Sequence, residues 1–312
     1  MRFGLFTYLN GPTWDEVLGL WRHVEATGWD VACVTDHFMP NTPGRLGDVL
    51  ECWSVLAALA AAVPRMRVGT LVCGNTYRHP AVFAKMAATL DVVSGGRLIC
   101  GIGAGWQENE HEAYGIPFYT LGERLRRLDE ACQVLKLLWT QEKASFEGRY
   151  YRLSDAPCMP KPVQRPHPEL MIGGAGERVT LRIVAEHADH WNAWGGPEIF
   201  AHKGRILEEH CAAVGRDARE IVRSANVVLA LDDDRAAREA VVRRVMERFG
   251  RAPDAARDLV LAGPVAAAQD KLARLRETGV ETVFVFASSA FLPPEPRPTL
   301  DRFIGEVASA LR

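Results

Sequence analysis

No disulfide framework is written into this chain. Its seven cysteines (Cys33, Cys52, Cys73, Cys100, Cys132, Cys158 and Cys211) are odd in number, form no CxxC pair and mostly sit in apolar stretches such as Val31-Ala32-Cys33-Val34. That is the pattern of buried, reduced thiols in a cytoplasmic protein. Long hydrophobic runs are missing too: the longest, Val55 to Val63, falls well short of the ~20 residues a bilayer span needs. Neither sign of charge dominates, with 37 Lys and Arg against 39 Asp and Glu, so neither nucleic acid nor a membrane is an expected partner. The first residues, Met1-Arg2-Phe3-Gly4-Leu5, lead into a strand without signal-peptide architecture. There is no G-x-S-x-G elbow, no Cys/His nucleophile arrangement and no internal repeat. His187, Asp189 and His190 have no companion ligands at metal spacing and precede a strand, so a structural role is expected and no metal.

What is present is an alternation. Short runs rich in β-branched and aromatic residues, at 2–7, 29–35, 67–72, 97–102, 169–172, 190–193, 221–231 and 282–286, alternate with segments of helical period. Several runs are apolar throughout, as strands covered on both faces of a parallel sheet require. Thr13-x-x-Glu16 and Thr120-x-x-Glu123 read as capping boxes ahead of amphipathic helices. Eight strand–helix alternations point to α/β architecture: one (β/α)₈ TIM barrel spanning 1–312. The fourth and fifth strands are separated by an insertion, about 106–168, far longer than usual βα loops. It is expected to be a lid or pocket wall, with peripheral decoration as the alternative.

In a barrel, chemistry is built at the C-terminal strand ends. The second strand ends Thr35-Asp36-His37-Phe38, where His37 suits a general base and Asp36 a polar anchor; a capping Asp beside a structural His would read the same. The fourth ends Gly101-Ile-Gly103-Ala104-Gly105-Trp106, whose glycines allow close approach to a flat ligand. Trp106 breaks the dinucleotide fingerprint, which disfavours an NAD-linked Rossmann reading. The fifth ends Gly173-Gly174-Ala175-Gly176, either an anion site for a phosphate or a plain tight turn. Trp191 and Trp194, at the end of the sixth strand, are candidates for a substrate-pocket wall or for core packing.

Together these stretches resemble the bacterial luciferase-like monooxygenase superfamily, and most closely its F420-dependent (5-deazaflavin) oxidoreductases. The resemblance rests on Val34-Thr-Asp-His-Phe38, on Arg78-His-Pro-Ala-Val-Phe-Ala-Lys85 with Leu90-Asp-Val-Val-Ser-Gly-Gly-Arg97, on Gly101 to Pro117, and on Gly173-Gly-Ala-Gly176 with Ala188-Asp-His-Trp-Asn192. It implies a barrel binding coenzyme F420, or FMN as the alternative, with Asp36, Ala104, Gly105 and Asn109 near the ring and Gly173 to Gly176 near the phosphate. It also implies a non-proline cis peptide between Leu71 and Gly74, so that Val72, Cys73 and Asn75 join the cofactor bed. His37 matches the base that takes a substrate hydroxyl proton. Trp106 stands where the sugar-phosphate and alcohol dehydrogenases carry an acid, which implies an apolar substrate or a tighter pocket. Glu108 and Glu110 fall on different faces of any helix, and neither is assigned as the missing acid. The partners implied are a small-molecule substrate, a reductase if the chemistry is FMN-dependent oxygenation, and a second copy of the chain. A flavin-binding protein without catalysis is the remaining alternative.

Overall fold

The computed structural model of the chain describes residues 1–42, 44–288, 290–292 and 295–312. Eight parallel strands close into a barrel: β1 (Arg2–Thr7), β2 (Val31–Val34), β3 (Arg67–Thr70), β4 (Leu98–Gly103), β5 (Glu169–Gly173), β6 (His190–Trp194), β7 (Val222–Ala230) and β8 (Val280–Ala287). Each pairs with the next, and β1 pairs with β8 in the register Arg2↔Thr282 through Thr7↔Ala287, so no edge is left open. Side chains alternate between two cores. Phe3, Leu5, Leu98, Cys100, Leu170 and Ile172 face outward against the helices, while Phe6, Val31, Cys33, Ile99, Met171 and Phe284 fill the interior. Gly4 leaves room for the Phe284 ring, since a Cβ there would stand 2.5 Å from it.

The lower interior is polar and paired. His190 Nδ1 meets Glu169 Oε1 at 2.5 Å and its Nε2 meets Ser224 Oγ at 2.7 Å; Arg67 also donates to Glu169. Asn192 and Asn226 bond each other at 2.8 and 3.0 Å one layer higher. Buried polar groups of this kind persist only when they satisfy one another.

The helices between the strands are α1 (Trp14–Ala26), α2 (Cys52–Ala62), α3 (Pro80–Val93), α4 (Glu108–Tyr114), α5 (Leu121–Thr140), α6 (Thr180–His187), α7 (Pro197–Ala213), α8 (Arg235–Phe249), α9 (Pro253–Leu259) and α10 (Val265–Glu277). The capping box expected at Thr13 is complete. Two expectations need correction. Within the 106–168 insertion, α5 is an ordinary ring helix: Leu128, Cys132, Leu135 and Trp139 are buried, and Trp139 Nε1 donates to Ala84 O on α3 at 2.9 Å. The segment around α4 packs on the loop after β2 at the barrel mouth, and the antiparallel hairpin Lys143–Glu147 with Arg152–Pro157 lies outside the main sheet and reaches the mouth through its turn. The second correction is an excursion the sequence pattern did not reveal, α8 and α9 after β7. Val241, Val242, Val245 and Phe249 pack into the interior cluster with Trp194 and Phe291, capping the mouth.

Candidate active site

The C-terminal ends of β4 and β5 meet at Val72, which follows β3. A Cβ at Gly103 or Gly173 would stand 2.9 or 2.7 Å from Val72 Cγ2, so the two strand ends accept this side chain only because they carry glycine. The Leu71-Val72 peptide is cis. Cys73–Gly74 pairs with the end of β4, and Asn75 N donates to Gly103 O at 2.9 Å. Asn75 Nδ2 reaches Tyr151 OH at 3.2 Å, which ties the end of the hairpin to this bed.

Asp36 is anchored beside it. Its carboxylate takes a bidentate pair from Arg78, at 2.6 and 3.0 Å, and the Gly74 amide at 3.3 Å. Burial works against the Arg78 charge, but the Asp36 carboxylate outweighs it and holds the guanidinium above its usual range. Cys52 and Cys73 lie against Asp36 with their thiols buried. Asp36 therefore has little capacity left for a ligand and acts as a fixed post.

His37 stands apart from that pair and faces α4. Its Nδ1 lies 2.9 Å from Glu110 Oε1, and the Glu110 side chain is 0% exposed. The same carboxylate accepts the Phe38 amide at 2.8 Å and the Tyr77 hydroxyl. Burial alone would raise the Glu110 carboxyl; the bonds from His37, Phe38 and Tyr77 overcome it and hold the group below the usual carboxylate range. Burial and that carboxylate push the Tyr77 phenol above its usual range. Trp106 presents its ring to His37 edge-on, with centroids 5.4 Å apart, and remains 58% exposed.

Other expected residues are placed as follows. Ala104 and Gly105 follow the β4 end, with Gly105 packed on Thr76. Asn109 Nδ2 donates to Pro40 O at 3.1 Å while its Oδ1 is buried with no protein partner. Gly174 is fixed by Asn192 O on its amide and by Trp191 Nε1 on its carbonyl. Among the described residues the Ala175 and Gly176 amides donate to no protein acceptor. The helix after them begins only at Thr180, so these glycines form a turn ahead of the helix rather than its first turn. Trp194 points inward, 5.0 Å from Phe249 and 5.5 Å from Phe286 between centroids. Trp191 is corrected: it is 0% exposed, points outward and packs on Phe200, because residues three apart on a strand face opposite ways. Sequence reasoning named Glu110 without assigning it a role, quoted Arg78 only within a motif, and missed Tyr77 and the aromatic group Phe6, Tyr8, Phe286 and Phe291.

A cleft of about 560 Å³ opens at the same end of the barrel beside the ends of β1 and β8, lined by Tyr8, Asn10, Glu16, Ser288, Leu292 and Arg297 among others, and neither the glycine bed nor the His37 cluster lines it. A groove of about 610 Å³ lies at the opposite end, where Ile221, Arg223, Gly279 and Glu281 begin or precede β7 and β8. Its Arg223 is already paired with Glu208, and none of the glycine bed or the His37 cluster lines it.

A closed parallel barrel with a histidine and a glycine bed at the C-terminal strand ends defines a TIM-barrel protein whose site sits at the usual catalytic face. The family model for luciferase-like monooxygenases matches residues 1–285, and the chain belongs to that family. An F420-dependent glucose-6-phosphate dehydrogenase of Kineococcus radiotolerans is 35% identical over 216 residues, covering 67% of this chain and 62% of that protein. An FMNH(2)-dependent dimethylsulfone monooxygenase of Pseudomonas putida is 35% identical over 156 residues, covering 50% and 42%. The chain spans 42% to 64% of the length of the curated relatives it matches. Among solved structures, an F420-dependent secondary alcohol dehydrogenase in complex with an F420-acetone adduct superposes with a TM-score of 0.87 at 21% identity, covering 100% of this chain and 99% of that one. The tetrahydromethanopterin reductase of Methanopyrus kandleri, also F420-dependent, gives 0.82 at 21%, over 100% and 99%. At these identities the structures speak for the fold.

Proposed function

We propose that this chain is an F420-dependent oxidoreductase acting on a small organic alcohol or its carbonyl counterpart. The observation that carries the reading is His37, held by a buried carboxylate at the barrel mouth beside a glycine bed. The residues present fit a planar cofactor with an anionic tail. Gly103 and Gly173 seat Val72 at the strand ends, Asn109 Oδ1 is an unused acceptor, and the Ala175 and Gly176 amides are unused donors. Val72, Cys73, Asn75, Ala104, Gly105, Asn109 and Gly173 to Gly176 would hold it, with Asp36 bracing the bed from behind. Bound there, oxidised deazaflavin supplies a hydride acceptor, so that an alcohol carbon is oxidised to a carbonyl. A carboxylate only accepts hydrogen bonds, so Nδ1 of neutral His37 carries the proton and Nε2 keeps a lone pair for the substrate hydroxyl proton. Trp106 and Trp194 line the approach and favour an apolar substrate.

Reduced FMN with oxygen is the second reading, supported by the Pseudomonas putida relative; it would require a reductase to supply the reduced flavin. Titration of the purified protein with oxidised F420 and with FMN separates the two. F420 binding tighter than FMN binding supports the proposal, and tight FMN binding without F420 binding overturns it.

A homodimer accompanies this reading. Helix α2 carries no charged side chain and exposes Ser54, Ala57, Ala58 and Ala61, while α3 adds exposed Val82 and Val93. Sedimentation showing a monomer at micromolar concentration would refute it. The seven free, buried thiols support a cytoplasmic setting.

A further inference from the structure

Glu110 belongs to a seven-residue helix that is locked onto the loop carrying His37. Gln107 Nε2 donates to Met39 O at 3.0 Å and Asn109 Nδ2 to Pro40 O at 3.1 Å. His111 meets Thr76 Oγ1 at 2.7 Å, with its ring against Tyr77. The carboxylate thus sits on a frame braced on both sides.

Its charge is the unusual part. Among the described residues no lysine or arginine pairs with Glu110; its one charge-capable partner is His37. Arg78, the nearby cation that stands over the Phe38 ring, is committed to Asp36 and Glu51. The remaining groups around it, the Tyr77 hydroxyl, the Phe38 amide and the edge of Trp106 beyond His37, are neutral. His111 bonds to Gln107 O and Thr76 instead, and Tyr114 OH donates to Phe38 O. A buried anion without a permanent counter-ion is costly, and here the counter-ion forms when His37 takes a proton.

We propose that Glu110 is the positioning residue of this site: with Tyr77 and the Phe38 amide it fixes the His37 tautomer so that Nε2 receives the substrate proton, and its charge stabilises the resulting imidazolium. In the step the substrate O–H bond breaks and an N–H bond forms at Nε2, while Nδ1–H stays on the ring and Glu110 keeps its charge. The inference rests on His37 being the base, and the test separates the two.

Three variants are compared: Glu110→Gln, Glu110→Asp and His37→Ala. The first readout needs neither cofactor nor substrate. Nitrogen-15 NMR of the imidazole, assigned by loss of the signal in His37→Ala, shows Nδ1 protonated and Nε2 bare in the native protein. Glu110→Gln, whose amide can also donate, raises the share of the opposite tautomer. In the F420 holoenzyme, Glu110→Gln lowers kcat on the order of 100-fold with cofactor affinity within about twofold of native. Glu110→Asp, which keeps the charge, recovers most of the native tautomer and rate and covers the case in which the Gln variant does not fold. Native tautomer and rate in Glu110→Gln overturn the positioning role. Full activity in His37→Ala overturns the base instead.

Discussion

Replacing Gly173 with alanine probes the bed directly. The new methyl would stand 2.7 Å from Val72 Cγ2 and 3.1 Å from Cγ1. The Val72 methyls also lie 3.0 and 2.9 Å from where a Cβ at Gly101 and Gly103 would stand, so the side chain is seated against three glycines. Overpacking of this kind costs about 1–3 kcal/mol, which is the loss expected here. Val72→Ala alone removes two methyl groups from a half-buried side chain, a loss of about 1 kcal/mol. Since the clash is with those methyls, the double variant should be more stable than the sum of the singles by about 1–2 kcal/mol. Urea unfolding gives the three values, and quenching of F420 fluorescence reports the bed, with affinity lost in Gly173→Ala and partly restored in the double variant. Additivity within about 0.5 kcal/mol, or an unperturbed Gly173→Ala, would refute the packing reasoning.

Further outcomes follow from the buried charges and the barrel faces. Arg78→Met strands the Asp36 carboxylate and should cost about 3–5 kcal/mol by urea unfolding; adding Asp36→Asn should return part of it. Burial opposes ionisation of Glu169, but His190 and Arg67 outweigh it and lower its carboxyl to about 2. A lowered carboxyl contributes stability that is full above its ordinary value near 4.5 and is lost as pH falls through about 2. The native protein should lose roughly 3 kcal/mol across that window, and Glu169→Gln should flatten this part of the acid-unfolding curve. Trp191→Ala should cost about 3–5 kcal/mol with little change in KM, whereas Trp194→Ala should shift KM or substrate preference more than stability; the reverse pattern in thermal melts and kinetics would contradict the facing assigned to each.

The barrel itself was legible because covered parallel strands leave an apolar run with a recognisable end. Asp36, His37 and the two glycine-rich ends could be found for the same reason: they stand where such runs stop. Glu110 was noticed but its pairing with His37 was hidden, because α4 is only two turns long, too short for a face to emerge, and because His37 lies 73 residues away along the chain. Helix α8 was hidden by composition: its arginines mask Val241, Val242, Val245 and Phe249, whose burial depends on the barrel mouth beneath them. Helix α5 was misplaced in a lid because its apolar stripe does not say which neighbour it meets. The opposite facing of Trp191 and Trp194, by contrast, follows from the period of a strand and was readable from their spacing.

The most direct measurement is a crystal structure of the protein with oxidised F420. The account requires the deazaflavin ring against Val72, Gly103 and Gly173, the phosphate beside the Ala175 and Gly176 amides, and His37 Nε2 turned toward the open face of the ring. A cofactor in the groove lined by Arg205, Arg219 and Glu277 at the other end of the barrel, or a His37 facing away from the ring, would contradict it.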